Sequence, residues 1–201
     1  ATSPSAAPES TALLTVSIFR AIVLGIVQGL TEFLPVSSSG HLQLVPWLFN
    51  WNDFEGNADL ASAFDVALHM GTLFGAVAYF WSDIWRYLNA GFGSLNPANR
   101  RHGLSTDARV GWLLIVATIP AGLTGVLLEE VLKSDDKIWL TAAALAVFGV
   151  VLALADRLPG ERDVDSFQLK DALTIGIGQA LALQPGVSRS GITITVARVL
   201  K

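Results

Sequence analysis

Two long runs of apolar residues constrain the fold of this chain more than any other feature of its sequence. Residues 110–128 are 19 consecutive positions without a formal charge, and residues 138–155 are 18. A helix needs about 20 residues to span the hydrocarbon core of a bilayer. A soluble helical bundle would need helices with polar outer faces, whereas these runs are apolar all round. They predict membrane-spanning helices.

The composition agrees with a membrane protein and excludes other classes. Charged residues make up 15% of the chain, against about 25% in soluble domains. A third apolar run, residues 66–82, is interrupted only by His69. The net charge of −4 is spread along the connecting segments, which gives no sign of a nucleic-acid partner. The absence of cysteine excludes disulfides and thiol chemistry.

The two ends of the chain differ in character. Residues 1–11 lack the basic segment of a secretory signal, so we predict a disordered tail there. Residues 12–201 are predicted to form a single integral membrane domain. The chain has no initiator Met and stops just after an apolar run has begun. We therefore expect a protein that is truncated at its C-terminal end.

The Lys and Arg residues of the connecting segments predict an orientation in the membrane. Segments 83–109 and 156–171 carry four and three, segment 129–137 carries two, and the acidic segment 50–65, which we interpret as a loop, carries none. The positive-inside rule places the first two segments on the cytoplasmic side. The alternation of sides agrees if each of the three apolar runs crosses the membrane once.

Two polar stretches resemble each other at a constant offset of 151 residues. Residues 28–41 read Gln-Gly-Leu-Thr-Glu-Phe-Leu-Pro-Val-Ser-Ser-Ser-Gly-His, and residues 179–191 read Gln-Ala-Leu-Ala-Leu-Gln-Pro-Gly-Val-Ser-Arg-Ser-Gly. The prolines miss by one position. The matched pairs are Gln28 with Gln179, Leu30 with Leu181, Val36 with Val187, Ser37 with Ser188, Ser39 with Ser190 and Gly40 with Gly191.

An odd number of crossings between the two stretches makes them enter the membrane from opposite sides. Inverted repeats of this kind commonly place broken helices against each other near the midplane. Pro35 and Pro185-Gly186 break the helices, and the small residues that follow allow backbone N–H groups to approach an anion. The sequence therefore predicts an all-α polytopic membrane protein with inverted-topology repeats and two re-entrant helix-loop-helix segments meeting near the midplane.

Charged groups within the membrane are costly, which makes Glu32 and Arg189 candidates for function. The alternatives are a structural pair of Glu32 with Arg20 or with a backbone group, and snorkelling of Arg189 to the interface. A guanidinium fork suits phosphate oxygens. Because the repeat sets Ser38 opposite Arg189, Ser38 is the first choice among the three adjacent serines, which could bind phosphate or break the helix locally.

Two histidines lie in apolar surroundings. His41 follows the Ser/Gly turn and could act as acid, base or nucleophile, or be structural. His69 is interpreted as a helix-packing group. Gln28 and Gln179 could both be polar links between helices.

An acid, an imidazole, an Arg and hydroxyl-rich turns in lipid suit hydrolysis of a phosphate ester or anhydride borne by a lipid. The rival function is a transporter or flippase of a lipid phosphate, which needs binding groups but no nucleophile. A structural membrane subunit is a third interpretation, and it gives no reason for the paired motifs.

The segment Glu32-Phe-Leu-Pro-Val-Ser-Ser-Ser-Gly-His41, together with Pro185-Gly-Val-Ser-Arg-Ser-Gly191, resembles the undecaprenyl-pyrophosphate phosphatase (bacitracin-resistance) family. The segment Phe64-Asp-Val-Ala-Leu-His-Met-Gly71 is similar too, and the resemblance extends over about residues 13–201. It implies a multi-pass enzyme of the cell membrane, with its active site facing the outer side. Such an enzyme converts undecaprenyl pyrophosphate to the monophosphate and phosphate, and so recycles the carrier lipid of peptidoglycan synthesis.

By matching positions, the resemblance implies a catalytic set of Glu32, Ser38, His41 and Arg189. Whether Ser38 or His41 is the nucleophile stays open. Some family members have Glu at the position of Gln28, so a Mg²⁺ or Ca²⁺ ion would have Glu32 as its ligand here. The expected partners are the polyprenyl pyrophosphate and the membrane, and the candidate assembly is a homodimer. The predicted substrate-binding residues are Gln28, Ser37, Ser39, Gly40, Gly186, Ser188, Ser190 and Gly191.

Overall fold

The protein is all-α in the part of the chain that the computed structural model describes, residues 17–53, 57–97, 103–128, 137–160 and 162–201. The tail predicted for residues 1–11 lies outside these ranges. Within them there are eight α-helices, one short 3₁₀ helix at Val164–Ser166 and no strand, which confirms the predicted class. The helices are α1 (Ile18–Phe33), α2 (Ser38–Leu48), α3 (Ala58–Tyr79), α4 (Trp81–Gly93), α5 (Thr106–Leu127), α6 (Ile138–Asp156), α7 (Leu169–Leu181) and α8 (Arg189–Leu200).

Three helices, α3, α5 and α6, are long and apolar enough to cross a membrane, with 22, 22 and 19 residues. They correspond to the three predicted apolar runs. The prediction of a loop through residue 65 was wrong, because α3 already begins at Ala58. The Asn57 side chain caps this helix by accepting a hydrogen bond from the backbone N–H of Leu60 at 3.0 Å. Asp59 in the first turn adds a favourable charge at the positive end of the helix dipole.

Helix α4 covers the first part of segment 83–109, which the sequence presented as a polar connection. It follows α3 after the single residue Phe80 and packs against α5. The two helices approach closely at Gly111, where a Cβ atom would lie 3.1 Å from the carbonyl oxygen of Tyr87. The indole N–H of Trp112 donates to the Ser94 hydroxyl at 3.1 Å and fixes the end of α4.

The most extensive contact in the fold joins α5 to α7. Leu113, Ala117 and Ala172 form its buried core. Gly176 allows the close approach, since a Cβ atom there would lie 2.6 Å from the carbonyl oxygen of Ala117. Because lipid is as apolar as these side chains, close van der Waals packing at small residues stabilises the contact.

Two pairs of helices are each joined by a proline-containing turn. In the first hairpin, α1 ends at Phe33 and the first turn, residues 34–37, leads into α2; Leu34 is extended (φ −72°, ψ 142°) as expected before Pro35. In the second hairpin, the second turn, residues 182–188, joins α7 to α8. Helix α6 contacts both α2 and α8 and so links the two hairpins.

Candidate active site

The helices that follow the two turns begin with the same hydrogen bond. The Ser37 hydroxyl accepts from the backbone N–H of Gly40 at 3.4 Å, and the Ser188 hydroxyl accepts from that of Gly191 at 3.1 Å. These N-caps leave the helix N-termini with unpaired N–H groups and a partial positive charge, which favour anions. The hydroxyl oxygens of the matched pairs also meet, at 3.3 Å for Ser37 with Ser39 and 3.0 Å for Ser188 with Ser190.

A cavity of about 520 Å³ lies between the two hairpins and is lined by both. The first turn contacts the start of α8 beside it, since a Cβ atom on Gly191 would lie 3.1 Å from the carbonyl oxygen of Pro35. The structure thus brings most of the predicted polar residues into one space. Those that line the cavity are Glu32, Ser37, Ser38, Ser39, Ser188, Arg189 and Ser190, together with Gln179.

Glu32 and Ser38 are in direct contact in this cavity. The Ser38 hydroxyl lies 2.5 Å from Oε2 of Glu32, to which it donates a hydrogen bond. Gln28, one helical turn earlier and fully buried, donates from Nε2 to the same oxygen at 3.0 Å. The alternative that Glu32 pairs with Arg20 is wrong, because Arg20 pairs with Asp53 at 2.7 Å.

Arg189 brings the positive charge to the cavity. It is the first residue of α8, and none of the ion pairs within the described ranges involves it. Its guanidinium donors are therefore open to an anion with oxygen acceptors. By contrast, other arginines in the same parts of the chain are paired with aspartates: Arg20, Arg86, Arg109, Arg162 and Arg198.

His41 does not line this cavity, although the sequence grouped it with Glu32, Ser38 and Arg189. Its Nδ1 atom lies 2.8 Å from the carbonyl oxygen of Ser37, one turn back along the chain. The ring thereby lines a second cavity of about 520 Å³ on the side of α6. Three of the predicted glycines are on that side too: Gly186 and Gly191 line the second cavity, and Gly40 packs against Leu145.

His69 lines the first cavity instead, and the sequence interpretation as a helix-packing group missed this. Its Nε2 atom lies 3.9 Å from Oε2 of Glu32. The signal was present, because the rule that ionisable residues within apolar spans are functional candidates applies to His69 as it does to Glu32. Thr31 and Thr193 also line the cavity without having been predicted.

The two glutamines link helices, as the sequence suggested. Gln28 Nε2 lies 3.4 Å from the Thr72 hydroxyl of α3, and Gln179 Nε2 donates to the carbonyl oxygen of Ala117 on α5 at 3.3 Å. Gln28 sits behind Glu32 and does not line the cavity, whereas Gln179 does.

The protein oxygens in the cavity could bind a divalent cation only together with further oxygens from a bound phosphate compound. In the described parts of the chain there is no group of three or more His, Cys, Asp or Glu side chains that could hold a metal. The three polar contacts of the Glu32 carboxylate all fall on Oε2, which leaves Oε1 for a cation. Mg²⁺ is commonly held in this way, by one or two carboxylates together with substrate phosphates.

The chain is similar to proteins named undecaprenyl-diphosphatase. It is 44% identical to the one from a Nocardioides species over 188 residues, which cover 92% of this chain and 65% of the relative. It is 46% identical to that of Hahella chejuensis over 180 residues, 89% of this chain and 64% of the relative. It is 44% identical to that of Corynebacterium striatum over 183 residues, which cover 90% of this chain and 62% of the relative. The chain thus spans less than two thirds of these relatives.

Residues 21–201 match the protein family described as bacitracin resistance protein BacA. This range contains the second hairpin, the first hairpin from residue 21 onward, and every residue that lines the cavity between them. The family match and the three long apolar helices together indicate a membrane protein. The chain belongs to the bacitracin resistance protein BacA family.

Proposed function

We propose that this protein is an undecaprenyl-diphosphatase, which hydrolyses undecaprenyl diphosphate to undecaprenyl phosphate and inorganic phosphate. The observation that carries this proposal is the 2.5 Å hydrogen bond between Ser38 and Glu32 in a cavity that Arg189 also lines. A hydroxyl held against a carboxylate, in the same cavity as a guanidinium that has no ion pair within the described ranges, brings together a nucleophile, a base and an anion clamp. The names of the similar proteins agree with this activity.

In the first half-reaction the terminal phosphate lies between Arg189 and the N-termini of α2 and α8. The Ser38 oxygen forms a bond to the terminal phosphorus and passes its proton to Glu32. The bond from that phosphorus to the bridging oxygen breaks, and undecaprenyl phosphate leaves with the electron pair. The barrier falls chiefly through positioning and through neutralisation of charge on the transferred phosphoryl group.

In the second half-reaction water attacks the phosphoserine. Its oxygen bonds to phosphorus as the bond to the Ser38 oxygen breaks, and inorganic phosphate is released. Glu32 returns to the Ser38 oxygen the proton that it took in the first half-reaction, and both protons of the water leave with the inorganic phosphate. The net change is the addition of one water molecule across the phosphoric anhydride.

Ser38 is favoured over His41 as the nucleophile. Ser38 lines the first cavity with Arg189, whereas the His41 ring lines the second cavity and is held to the carbonyl oxygen of Ser37. His41 then supports the geometry of the first turn. Rapid acid quenching with a ³²P-labelled substrate would test this, because phosphoserine is stable in acid and phosphohistidine is not.

We also propose that Glu32 holds a Mg²⁺ or Ca²⁺ ion through Oε1, with the remaining ligands coming from the diphosphate and water. A bound cation would supply further neutralisation of phosphate charge. Activity should then fall on treatment with EDTA and return with added Mg²⁺ or Ca²⁺. Full activity after exhaustive chelation would contradict a metal role.

The arrangement in the membrane is part of the same proposal. The two hairpins are inverted-topology repeats and re-entrant segments whose turns meet near the midplane of the cell membrane, with the cavity open to the outer side. Support comes from the matched caps, from the contact between the first turn and the start of α8 and from the Lys and Arg bias of the connecting segments. The assembly is a homodimer, which the mass of the purified protein in detergent would test.

Release of inorganic phosphate from undecaprenyl diphosphate by the purified protein in detergent tests the function. We expect turnover in the wild type and its loss in Ser38→Ala, with Ser82→Ala on the exposed surface of α4 as a matched control. Translocation of the lipid in vesicles without phosphate release would favour a flippase instead. That rival has no use for the hydrogen bond between Ser38 and Glu32.

A further inference from the structure

Helix α3 contributes a polar edge that neither motif supplies. His69 and Thr72 lie three residues apart on this helix and so share one face. They meet Gln28 and Glu32, four residues apart on α1. The contacts are 3.4 Å from Gln28 Nε2 to the Thr72 hydroxyl and 3.9 Å from His69 Nε2 to Glu32 Oε2.

We propose that His69 is a positioning residue that holds the Glu32 carboxylate in register with the Ser38 hydroxyl. This inference rests on the function proposed above. The Glu32 side chain is 36% exposed, so packing alone does not fix its rotamer. Gln28 constrains the carboxylate from α1 itself, and His69 closes the space beside it from α3.

The His69 ring is itself held in place. Its Nδ1 atom lies 2.7 Å from the carbonyl oxygen of Asp65, and because a carbonyl oxygen can only accept, Nδ1 carries the proton. The Nε2 edge is therefore the one that faces Glu32. Thr72 adds a second tie, since its hydroxyl donates to the carbonyl oxygen of His69 at 2.9 Å and its oxygen remains available to Gln28.

A helix-packing role does not explain these contacts. The His69 side chain is 44% exposed and borders the cavity, so an apolar residue of similar size would pack equally well. At 3.9 Å the contact is longer than a hydrogen bond. An apolar side chain would leave the carboxylate without a polar neighbour on this side, whereas another polar side chain of similar length should substitute for the ring edge.

The test compares His69→Leu, which keeps the bulk, with His69→Gln, which keeps a polar edge, in the purified full-length protein. Met70→Leu, at the exposed neighbouring position, is the matched control. Two quantities are measured: kcat and KM for phosphate release from undecaprenyl diphosphate, and the rate at which a fluorophosphonate probe labels Ser38. The second readout reports the reactivity of Ser38 without requiring turnover.

We expect His69→Leu to lower kcat by about 10- to 100-fold, with KM changed by less than about threefold, because a misplaced base affects the chemical step. Labelling of Ser38 should slow by a similar factor. His69→Gln should recover to within about fivefold of the wild type, and Met70→Leu should match the wild type. Thr72→Val should lie between the wild type and His69→Leu.

Two outcomes would overturn the inference. One is wild-type kcat and labelling in His69→Leu; the other is an equal loss in His69→Leu and His69→Gln with a lowered unfolding temperature, which indicates a purely structural role. A wild type that releases no phosphate would instead refute the proposed function. In that case the labelling rates still decide whether His69 positions Glu32, since equal rates in the wild type and His69→Leu would refute it.

Discussion

The helices that follow the first and second turns begin with the same hydrogen bonds but differ in the residue between their two paired serines. After the first turn this residue is Ser38, bonded to Glu32; after the second it is Arg189, which has no carboxylate partner in the described ranges. The same capped scaffold therefore presents a nucleophile on one side of the cavity and a cation on the other. Neither half is a complete site, so the proposed chemistry requires both to line one cavity.

The turns also differ in where the backbone enters the left-handed region. In the first turn this residue is Ser37 (φ 67°), and in the second it is Gly186 (φ 91°). Ser37 tolerates the conformation at a cost of about 1–2 kcal/mol. A residue with a side chain would not fit at Gly186, because its Cβ atom would also lie 2.4 Å from the carbonyl oxygen of Thr141.

The largest expected effect comes from removing Arg189, the cation that follows the second turn. Arg189→Ala should reduce phosphate release by about 10³-fold or more, as expected for an Arg that stabilises a transferring phosphoryl group. Arg189→Lys should recover only part, since a point charge does not reproduce the bidentate fork. Steady-state assays measure this, with Arg198→Ala, an arginine of the same helix paired with Asp156, as the control. Full activity in Arg189→Ala would sink the mechanism.

Removing Ser38, the first residue of α2, should reduce phosphate release nearly as much. We expect a loss of about 10³-fold in Ser38→Ala, the scale seen when a nucleophile is deleted. Ser39→Ala is the matched control, because Ser39 lines the same cavity without contacting Glu32, and it should lose about tenfold or less. Equal losses in the two variants would mean that the serines act only as phosphate ligands.

Backbone differences between the turns should appear in stability. Gly186→Ala should lower the free energy of unfolding by about 2–4 kcal/mol, because it combines a left-handed φ with a steric clash. Gly149→Ala on α6 is the control, since nothing lies within 4 Å of a Cβ atom there. Thermal unfolding in detergent measures both. A Gly186→Ala variant as stable as Gly149→Ala would show that the second turn can shift away from α6.

The smallest expected effect concerns the ion pairs that tie the open ends of the hairpins. Arg20 pairs with Asp53 in the first hairpin and Arg162 with Asp171 in the second, at 2.7 and 2.6 Å, and Arg20 and Asp171 are themselves 151 residues apart. The sign of the charge at this matched position is thus reversed. The Arg162 guanidinium, which donates to the buried Asp171 carboxylate, lowers the pKa of that carboxyl.

A carboxyl whose pKa is lowered by folding stabilises the fold above its unfolded pKa of about 3.9, and that stability is lost as the pH falls through the folded pKa. The unfolding temperature of the wild type should therefore drop more steeply below about pH 4 than that of Asp171→Asn, by about 2–4 °C. Parallel pH profiles for the two proteins would show that this pair does not contribute.

The breaks in the helices could be predicted from the sequence, because proline acts locally. Pro35 excludes helical backbone at Leu34, and the structure has α1 end at Phe33. The start of α3 and the presence of α4 were missed, since a polar composition does not distinguish a loop from a capped or amphipathic helix. The capping signal of Asn57 was present and unused.

The candidate site was predictable as a set of polar residues but not as a geometry. Spacing identified Glu32, Ser38 and Arg189, whose presence in apolar sequence is costly. It could not show that His41 turns towards α6 while His69, 37 residues beyond Glu32, enters the cavity. Which side of a helix faces a cavity depends on how the helices pack, and nothing in the local sequence encodes that.

The sequence by itself determined the apolar helices, the two proline breaks and the paired serine motifs, because hydrophobicity, fixed backbone angles and N-capping act over a few residues. Only the tertiary structure decided that the two turns share one cavity and that Glu32 bonds Ser38 rather than Arg20. It also decided that α3 lines this cavity through His69. These are contacts between residues far apart in the chain. They follow from the packing of α1 against α3 and from α6 contacting both hairpins.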